Sequence, residues 1–436
     1  MNPLADMVDT VFVTVPGLRI IDRGETISVA NLAAGTEKSF HRDIVELLEF
    51  FARPRPLHEW FGRAQAQARD VPTAIRHALL VAADQLLTQT AAAIGGPLTL
   101  SKLLEPGSKP DIVLFGAPTD VASSGRGGAR AGPSEIRRHA QVPFAAPSAA
   151  AGKDRVCLDF EMRRSYAASL PSVGDLGDVA GLVGEGIASY GPRLSLLSEI
   201  LLSQGCVPAM LGGDHSCTAF AIEAHLRHWP ALGILHFDAH HDLWPPAGAQ
   251  FHYVTHANVF HRALARPNLR VLRQFGLRTF ETAAAASLHH DPRVDYVSAR
   301  ELRQLSTDAV FAGLPRDIPY YLSFDIDCID PIHAPETGTP LPGGISYHQA
   351  LDLVDAAAQR FRLVGWDIVE VGQSERATNG AALCAAGLLR RLLLAGVPFD
   401  PLASYTRRTT GPAEGATGRT APTATSVPSL EPADHA

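Results

Sequence analysis

The chain has 436 residues, a formal net charge of −7 and a pI near 6.2, which argues against a nucleic acid as its main partner and is compatible with a cationic substrate. Its length suffices for one large α/β domain and a smaller unit. Its five cysteines form no Cys-x-x-Cys pair, and its N-terminus lacks the basic start and apolar core of a signal peptide, so we expect a cytoplasmic protein with reduced thiols. No apolar stretch reaches the ~20 residues of a membrane helix, so we expect no membrane partner.

Residues 1–95 form an extension before the main domain. Residues 18–22 and 26–32 have the composition of two strands joined by a turn, and a third short run ends at Phe40. Apolar residues at helical spacing then predict three helices, the first of which ends at Pro54. This order resembles the small winged-helix peptide-recognition domains found with enzymes that modify ribosomally made peptides. A lid or an oligomerisation extension is the alternative, and a DNA-binding winged helix is disfavoured because the stretch is not strongly basic.

The main domain is predicted to span residues 108–405. It contains short apolar, partly β-branched runs, which are typical of strands buried on both faces of a parallel sheet, at 207–211, 232–237 and 318–324. Helix-like stretches alternate with such runs, at 194–202, 347–361 and 377–394. The alternation predicts an α/β fold with a doubly wound, mainly parallel sheet and helices on both faces. Residues 409–436 are rich in Thr, Pro, Gly, Ala and Ser and are predicted to be a disordered tail.

Three motifs rich in acidic residues and histidine follow strand-like runs. They read Gly-Gly-Asp-His-Ser at 212–216, Asp-Ala-His-His-Asp at 238–242 and Ser-Phe-Asp-Ile-Asp-Cys-Ile-Asp-Pro at 323–331. In an extended chain, side chains two residues apart point to one side, so each motif is expected to present its ligands together. Ligands of open α/β sheets bind at the carboxyl ends of strands, where all three motifs fall.

The carboxylates of these motifs indicate a cation site. Carboxylates packed together raise one another's pKa unless a cation compensates them, and a purely structural role is hard to sustain for five of them, namely Asp238, Asp242, Asp325, Asp327 and Asp330. The Gly-Gly-Asp-His segment alone is weaker evidence, since it is also compatible with a tight turn between a strand and a helix. Together the motifs predict the site of a two-metal hydrolase.

The three motifs, in this order, resemble the ureohydrolase family, which contains arginases, agmatinases and other hydrolases of guanidino compounds. The similarity covers roughly residues 108–400 and includes the strand at 111–118, the Gly-Ala-Arg-Ala-Gly-Pro loop at 128–133 and the Ala-Pro-Glu-Thr-Gly-Thr-Pro loop at 334–340. The chain departs from the family pattern at Glu336, where many members have Gly, and at Gly372-Gln373, where arginases have Asn-Pro. Both departures concern the substrate side of the site.

The resemblance implies two divalent ions per subunit, with Mn²⁺ as the usual family metal and Ni²⁺, Co²⁺ or Zn²⁺ as alternatives. The ligands that it implies for one ion are His215, Asp238, Asp242 and Asp325. Those for the other are His240, Asp238, Asp325 and Asp327, with Asp238 and Asp325 as bridges. Such ions would ionise the attacking water near neutral pH, and Asp327 would carry a proton to the leaving nitrogen.

Two further residues match functional positions of the family. Glu370, at the end of the apolar run 363–369, corresponds to the glutamate that holds the guanidinium, although a local ion pair is the alternative. His256 begins a helix-like stretch and resembles the histidine of a mobile loop that relays protons, a role for which His252 competes. His241 is expected to face away from the metals.

The sequence therefore predicts an amidinohydrolase that releases urea and forms a homo-oligomer. Its substrate would be a small guanidino compound, such as agmatine, a guanidino acid or guanidine, or else an arginine side chain in a precursor peptide, which would become ornithine. A non-catalytic binding subunit on the same fold is the alternative from a different class. The complete set of metal ligands argues against that alternative.

Overall fold

The computed structural model describes short strand segments before residue 93 and then residues 93–95, 97–104, 107–140, 157–166, 170–181, 184–244, 254–280 and 290–401. These residues belong to two compact units. The first contains Met1–Gly152 and Ser169–Val397, and the second contains Lys153–Ala168 and Pro398–Ala436.

The N-terminal segments contain strands at 18–22, 26–31 and 36–41, where the sequence predicts them, together with short strands that it does not predict. The strands are β1 (Val11–Phe12), β2 (Leu18–Asp22), β3 (Thr26–Asn31), β4 (Thr36–His41), β5 (Arg55–Pro56) and β6 (Leu87–Thr88). Strands β2, β3 and β4 form an antiparallel sheet in that order, with β2 and β4 on the outside. The three helices predicted for this extension lie outside the described residues, so its winged-helix fold stays a prediction.

A large sheet organises the first unit. Its further strands are β7 (Ile112–Gly116), β10 (Val173–Val179), β11 (Val207–Leu211), β12 (Leu232–Phe237), β13 (Leu269–Leu277), β14 (Val294–Ser298), β15 (Pro319–Asp325) and β16 (Arg362–Val369). The order is β14-β13-β12-β15-β16-β11-β7-β10-β6. Every neighbouring pair is parallel except β10 with β6. The predicted mainly parallel sheet is therefore confirmed.

Helices connect these strands. They are α1 (Leu100–Leu104), α2 (Gly132–His139), α3 (Ile187–Ser203), α4 (Ser216–His228), α5 (His261–Leu264), α6 (Ala299–Leu302), α7 (Thr307–Val310), α8 (Tyr347–Arg360) and α9 (Gly380–Leu393). Helix α3 packs on α4, whereas α9 packs on α8 and on α2. None of the helices in the described ranges has both the length and the apolar character that a membrane crossing requires.

Both faces of the central strands are buried, as alternation along β12 shows. Leu232 and Ile234 belong to the apolar cluster that contains the buried faces of α3 and α4. Phe237 points the other way, because successive side chains of a strand alternate. Its ring stacks on those of Phe275 and Phe324, with centroids 4.7 and 5.3 Å away. Helices thus cover a sheet whose strands are apolar on both sides, as the sequence predicts.

The second unit contains a small antiparallel sheet. Its strands are β8 (Cys157–Asp159), β9 (Arg164–Tyr166) and β17 (Asp400–Pro401), with β9 in the middle. The guanidinium of Arg164 lies 4.1 Å from the ring centroid of Phe399, and the ring of Tyr166 meets the same ring edge-on at 5.9 Å. This contact is a cation–π interaction supported by an aromatic pair.

A buried histidine makes the stability of the fold depend on pH. His225 of α4 is fully buried, with Nδ1 2.7 Å from the carbonyl oxygen of Ala221 and Nε2 3.2 Å from that of Val364. Burial lowers its pKa to about 4, despite the two carbonyl groups. The unfolded chain binds a proton near pH 6.5 and the folded chain only near pH 4, so the free energy of unfolding should fall as pH drops through this window, by up to about 1.4 kcal/mol per unit.

Urea unfolding at pH 7 and at pH 5 measures this effect. We expect the loss of stability between the two pH values to be smaller in His225→Gln than in the wild type, and unchanged in His290→Gln, which alters an exposed histidine. Equal losses in all three proteins would contradict the prediction.

Candidate metal centre

Four adjacent strands of the sheet end at one edge and bring the predicted site residues together. His215 follows β11, Asp238 follows β12, Asp325 ends β15 and Glu370 follows β16. Strands β11 and β12 are consecutive along this part of the chain but are separated in the sheet by β15 and β16. The carboxyl ends of parallel strands around such a reversal form the usual crevice for ligands.

The first group of ligand atoms surrounds His215. Its Nδ1 lies 2.8 Å from Oδ2 of Asp242, 3.2 Å from Oδ2 of Asp238 and 3.4 Å from Oδ2 of Asp325. Although buried, this nitrogen makes no hydrogen bond within the described part of the chain. Three carboxylate oxygens and one imidazole nitrogen therefore converge without hydrogen-bond geometry, as expected of donors that share a cation.

The other ring nitrogen of His215 explains why Nδ1 is available. Nε2 lies 2.9 Å from Oγ of Ser323, whose hydroxyl donates to Oδ1 of Asp367 at 2.7 Å. Because the hydroxyl proton is directed to Asp367, Ser323 accepts from Nε2–H of His215. In neutral imidazole, Nδ1 is then left with its lone pair facing the carboxylates, which is the form that binds metals.

The second group surrounds His240. Its Nδ1 lies 3.3 Å from Oδ1 of Asp238 and 3.1 Å from Oδ2 of Asp327. Asp238 is common to both groups and directs Oδ2 to His215 and Oδ1 to His240. The hydroxyl of Thr339 donates to Oδ2 of Asp327 at 3.1 Å. The structure therefore brings together all six residues predicted as ligands.

The cluster contains more carboxylates than histidines, and this excess of acidic groups favours the binding of cations. Burial, followed by the charges of Asp327 and Asp238, raises the pKa of Asp325 well above its ordinary value. Burial disfavours the charged form of His240, yet its hydrogen bonds to Asp238 and Asp327 outweigh this and raise its pKa to about 12. Four carboxylates would be neutralised by two divalent ions, and a mixture of carboxylate and imidazole donors suits Mn²⁺ and related metals. The residues present thus fit a pair of metal ions.

The expected extended conformation of the motifs is wrong. Strand β12 ends at Phe237, before the first ligand of the second motif. The chain then bends, because Oδ1 of Asp238 accepts from the backbone N–H of His240 at 2.6 Å, and Oδ1 of Asp325 likewise accepts from the N–H of Asp327 at 2.9 Å. Asp242 has a left-handed backbone with φ of 51°. Local carboxylate-to-amide hydrogen bonds, and not strand alternation, orient these ligands.

Asp330 does not belong to the cluster, so its inclusion among the candidate carboxylates is wrong. It accepts hydrogen bonds from the N–H groups of Gly343 and Gly344, at 2.8 and 3.0 Å, and it therefore fastens a loop. His241, expected to face away, belongs to neither ligand group and accepts from the N–H of Leu243. His252 lies outside the described residues.

Sequence reasoning missed the groups that support the ligands. His236 donates from Nε2 to Oδ2 of Asp238 at 2.8 Å, because its Nδ1 accepts from Nε2 of Gln274 at 2.9 Å. His236 precedes Asp238 by two residues, a spacing that could have identified it. Ser323 and Asp367 become neighbours only through the pairing of β15 with β16, which the sequence does not reveal. Such partners fix the orientation and protonation of metal ligands.

Glu370 and His256 face each other beside the cluster. Glu370 is buried and has φ of 60°, and its Oε1 accepts from the N–H of His215 at 2.8 Å and lies 3.7 Å from Nδ1 of His256. Ser124 contacts Nε2 of His256 through its N–H, at 3.1 Å, and its hydroxyl, at 2.7 Å. Burial opposes protonation of His256, but the nearby carboxylate of Glu370 outweighs it and raises the pKa of His256. Among the described residues, none donates a hydrogen bond to Oε2 of Glu370.

Comparison with known proteins places this site in a family. The arginase family profile matches residues 110–395. An agmatinase of Edwardsiella ictaluri is 35% identical over 286 residues, covering 65% of this chain and 87% of the relative. An agmatinase of Klebsiella pneumoniae is 33% identical over 293 residues, covering 66% and 87%.

Solved structures agree with this assignment. A hypothetical agmatinase from Burkholderia thailandensis has 28% identity and a TM-score of 0.53, covering 66% of this chain and 85% of its own. The proclavaminate amidino hydrolase from Streptomyces clavuligerus has 26% identity and a TM-score of 0.54, covering 65% and 91%. The chain belongs to the arginase family, and it is a ureohydrolase that acts on guanidino groups.

Proposed function

We propose that the chain hydrolyses a small guanidino compound, with agmatine as the first candidate, and releases urea. The observation that carries this proposal is the buried carboxylate of Glu370 beside His256 and the metal cluster, whose Oε2 accepts no hydrogen bond from the part of the chain that the structure describes. A buried anion without a full set of partners is costly, and a planar guanidinium supplies N–H donors that match a carboxylate. Agmatine is favoured because relatives named agmatinase share a third of their residues with this chain.

The six clustered residues would hold the two ions. In this proposal His215, Asp238, Asp242 and Asp325 bind one ion, and His240, Asp238, Asp325 and Asp327 bind the other. Mn²⁺ is the metal that we propose first, with Ni²⁺ or Co²⁺ as alternatives. When bound, the pair would make water a nucleophile at neutral pH.

Protein side chains would orient the substrate and transfer protons. Glu370 would fix the guanidinium plane through Oε2, so that the guanidino carbon faces the metal side. Water would add its oxygen to this carbon and give a proton to Asp327. The bond between the carbon and the substituted nitrogen would then break as Asp327 passes that proton to the leaving amine. Thr339 holds Asp327 in place by its hydrogen bond to Oδ2. His256, opposite Glu370, would relay protons between the site and solvent.

A screen for urea release tests the proposal. The Mn²⁺-loaded protein would be assayed with agmatine, arginine, guanidino acids, guanidine and arginine-containing peptides. We expect turnover of agmatine or another small guanidino compound. Protein that carries metal but releases no urea from any of these compounds would contradict the proposal and favour a binding subunit.

Peptidyl arginine is a second candidate because of the N-terminal sheet. Within the described residues its outer strands β2 and β4 pair with no further strand, and a peptide can add to such an edge as a strand. Removing residues 1–84 keeps β6, which pairs with the main sheet. We expect this truncation to retain urea release from agmatine to within about two-fold, because every residue assigned to the site lies after residue 200.

The same truncation separates the alternatives. A weaker turnover of only long, leader-bearing peptides would identify the extension as a peptide-binding domain. A loss of agmatine turnover would instead make the extension a lid or a contact between subunits, and would contradict the expected result.

A further inference from the structure

One loop touches both residues that are proposed to handle the substrate. This substrate-side loop comprises residues 334–340. The hydroxyl of Thr339 donates to Asp327, and the α-carbon of Gly338 faces Glu370 so closely that a Cβ there would lie 3.3 Å from Oε2. The carbonyl oxygen of Gly338 accepts from the N–H of Arg126 at 3.0 Å. The loop therefore contacts both the proposed proton carrier and the carboxylate proposed to bind the guanidinium.

Glu336 connects the same loop to neighbouring segments by hydrogen bonds. Its Oε2 accepts from the N–H of Ala381 in the first turn of α9 at 3.0 Å, and its Oε1 accepts from the hydroxyl of Ser374 at 3.3 Å. Its backbone carbonyl accepts from the N–H of Gly372 at 2.8 Å. The side chain of Glu336 thus points to the start of α9 and to Ser374, although this departure from Gly lies in the substrate-side loop.

Helix α9 is a suitable anchor. The first N–H groups of a helix lack partners within the helix and attract negative charge. Asn379 satisfies one of them by accepting from Ala382, and Glu336 satisfies another from a distant part of the chain. Residues of α9 are mostly buried, so the helix is fixed in the fold. A glycine at position 336 would keep only the backbone contact to Gly372.

We propose that Glu336 is a positioning residue for the guanidino substrate. By tying the substrate-side loop to α9, it sets the positions of Gly338 and Thr339 against Glu370 and Asp327. The clearance at Gly338 is small, so a shift of the loop by a fraction of an ångström changes the space beside Oε2 of Glu370. Small misplacements of this kind weaken productive binding of the substrate without removing any reacting group. This inference rests on the proposed function.

Kinetics of Glu336→Ala and Glu336→Gln test the proposal in the metal-loaded protein. We expect Glu336→Ala to raise KM by roughly ten-fold and to change kcat by no more than about three-fold, because the metal ligands are untouched. Glu336→Gln should stay within about three-fold of the wild type, since an amide oxygen still accepts from Ala381. Metal content should be unchanged in both variants.

Two control variants separate positioning from stability. Glu375→Ala removes an exposed carboxylate from the neighbouring loop and should leave the kinetics unchanged. Ser346→Ala removes the side chain that accepts from Gln349 at the start of α8, and so lowers stability at another helix end. If Ser346→Ala raises KM as much as Glu336→Ala does, or if Glu336→Ala lowers only the melting temperature, the positioning role is overturned.

Hydrogen exchange gives a readout that does not depend on the reaction. The amide of Arg126, which donates to Gly338, should exchange faster in Glu336→Ala than in the wild type, Glu336→Gln or Ser346→Ala. Faster exchange in Glu336→Ala, when the metal-loaded wild type itself releases no urea, would mean that the tether exists but the proposed function is wrong. Unchanged exchange together with unchanged KM in an active enzyme would overturn the tether itself.

Discussion

Asp238→Asn should remove both metal ions and nearly all urea release. Asp238 approaches both histidines of the cluster, with Oδ2 3.2 Å from Nδ1 of His215 and Oδ1 3.3 Å from Nδ1 of His240. An amide removes one negative charge and replaces an oxygen with a donor group. If that group takes the place of Oδ2, it meets Nε2 of His236, which is itself a donor.

Metal analysis and urea assays measure the effect of Asp238→Asn. We expect the wild type to hold about two ions per chain when loaded, and the variant to lose both ions together with at least about a thousand-fold in kcat. Asp330→Asn is the matched control, since it makes the same change in a carboxylate that fastens a loop, and it should keep both ions. An Asp238→Asn protein with two ions and substantial turnover would contradict the shared role of Asp238.

The sequence predicted that the ligand side chains would lie close together because each motif comes soon after an apolar strand. Parallel strands end at one edge of their sheet, so the motifs at His215, Asp238 and Asp325 had to meet once the fold class was known. The same reasoning failed for the local conformation. It extended the strands through the ligands, whereas the carboxylates of Asp238 and Asp325 bend the chain by bonding to nearby amides. A side chain that accepts hydrogen bonds from nearby backbone N–H groups can end a strand, and the periodicity of apolar residues in the sequence does not reveal it.

The sequence did not predict contacts between residues that lie far apart along the chain. The arrangement of Asp367, Ser323 and His215 depends on the register between β15 and β16, and the approach of His256 to Glu370 joins residues more than a hundred positions apart. Glu336 was recognised as a departure on the substrate side, but its bond to α9 required the position of that helix. Single-sequence patterns indicate which segments form buried strands, but they do not indicate the order or the register of those strands in the sheet.

Glu370→Gln should leave both ions bound and lower kcat/KM by about ten- to a hundred-fold. The loss corresponds to roughly 1.5–3 kcal/mol, the value of a hydrogen bond to a charged group. The ions should stay because Glu370 belongs to neither ligand group, and an amide oxygen can still accept from the N–H of His215. What is lost is the negative charge that Oε2 offers to a guanidinium.

Steady-state kinetics with metal analysis on the same preparations decide the role of Glu370. Glu375→Gln is the matched control, because it makes the same substitution at an exposed position a few residues along the chain, and it should behave as the wild type. Unchanged kinetics of Glu370→Gln with both ions present would assign Glu370 to a local ion pair with His256. Loss of the ions would instead mean that its bond to the His215 backbone supports the metal centre, because the carboxylate would then act by holding a ligand and not by binding the substrate.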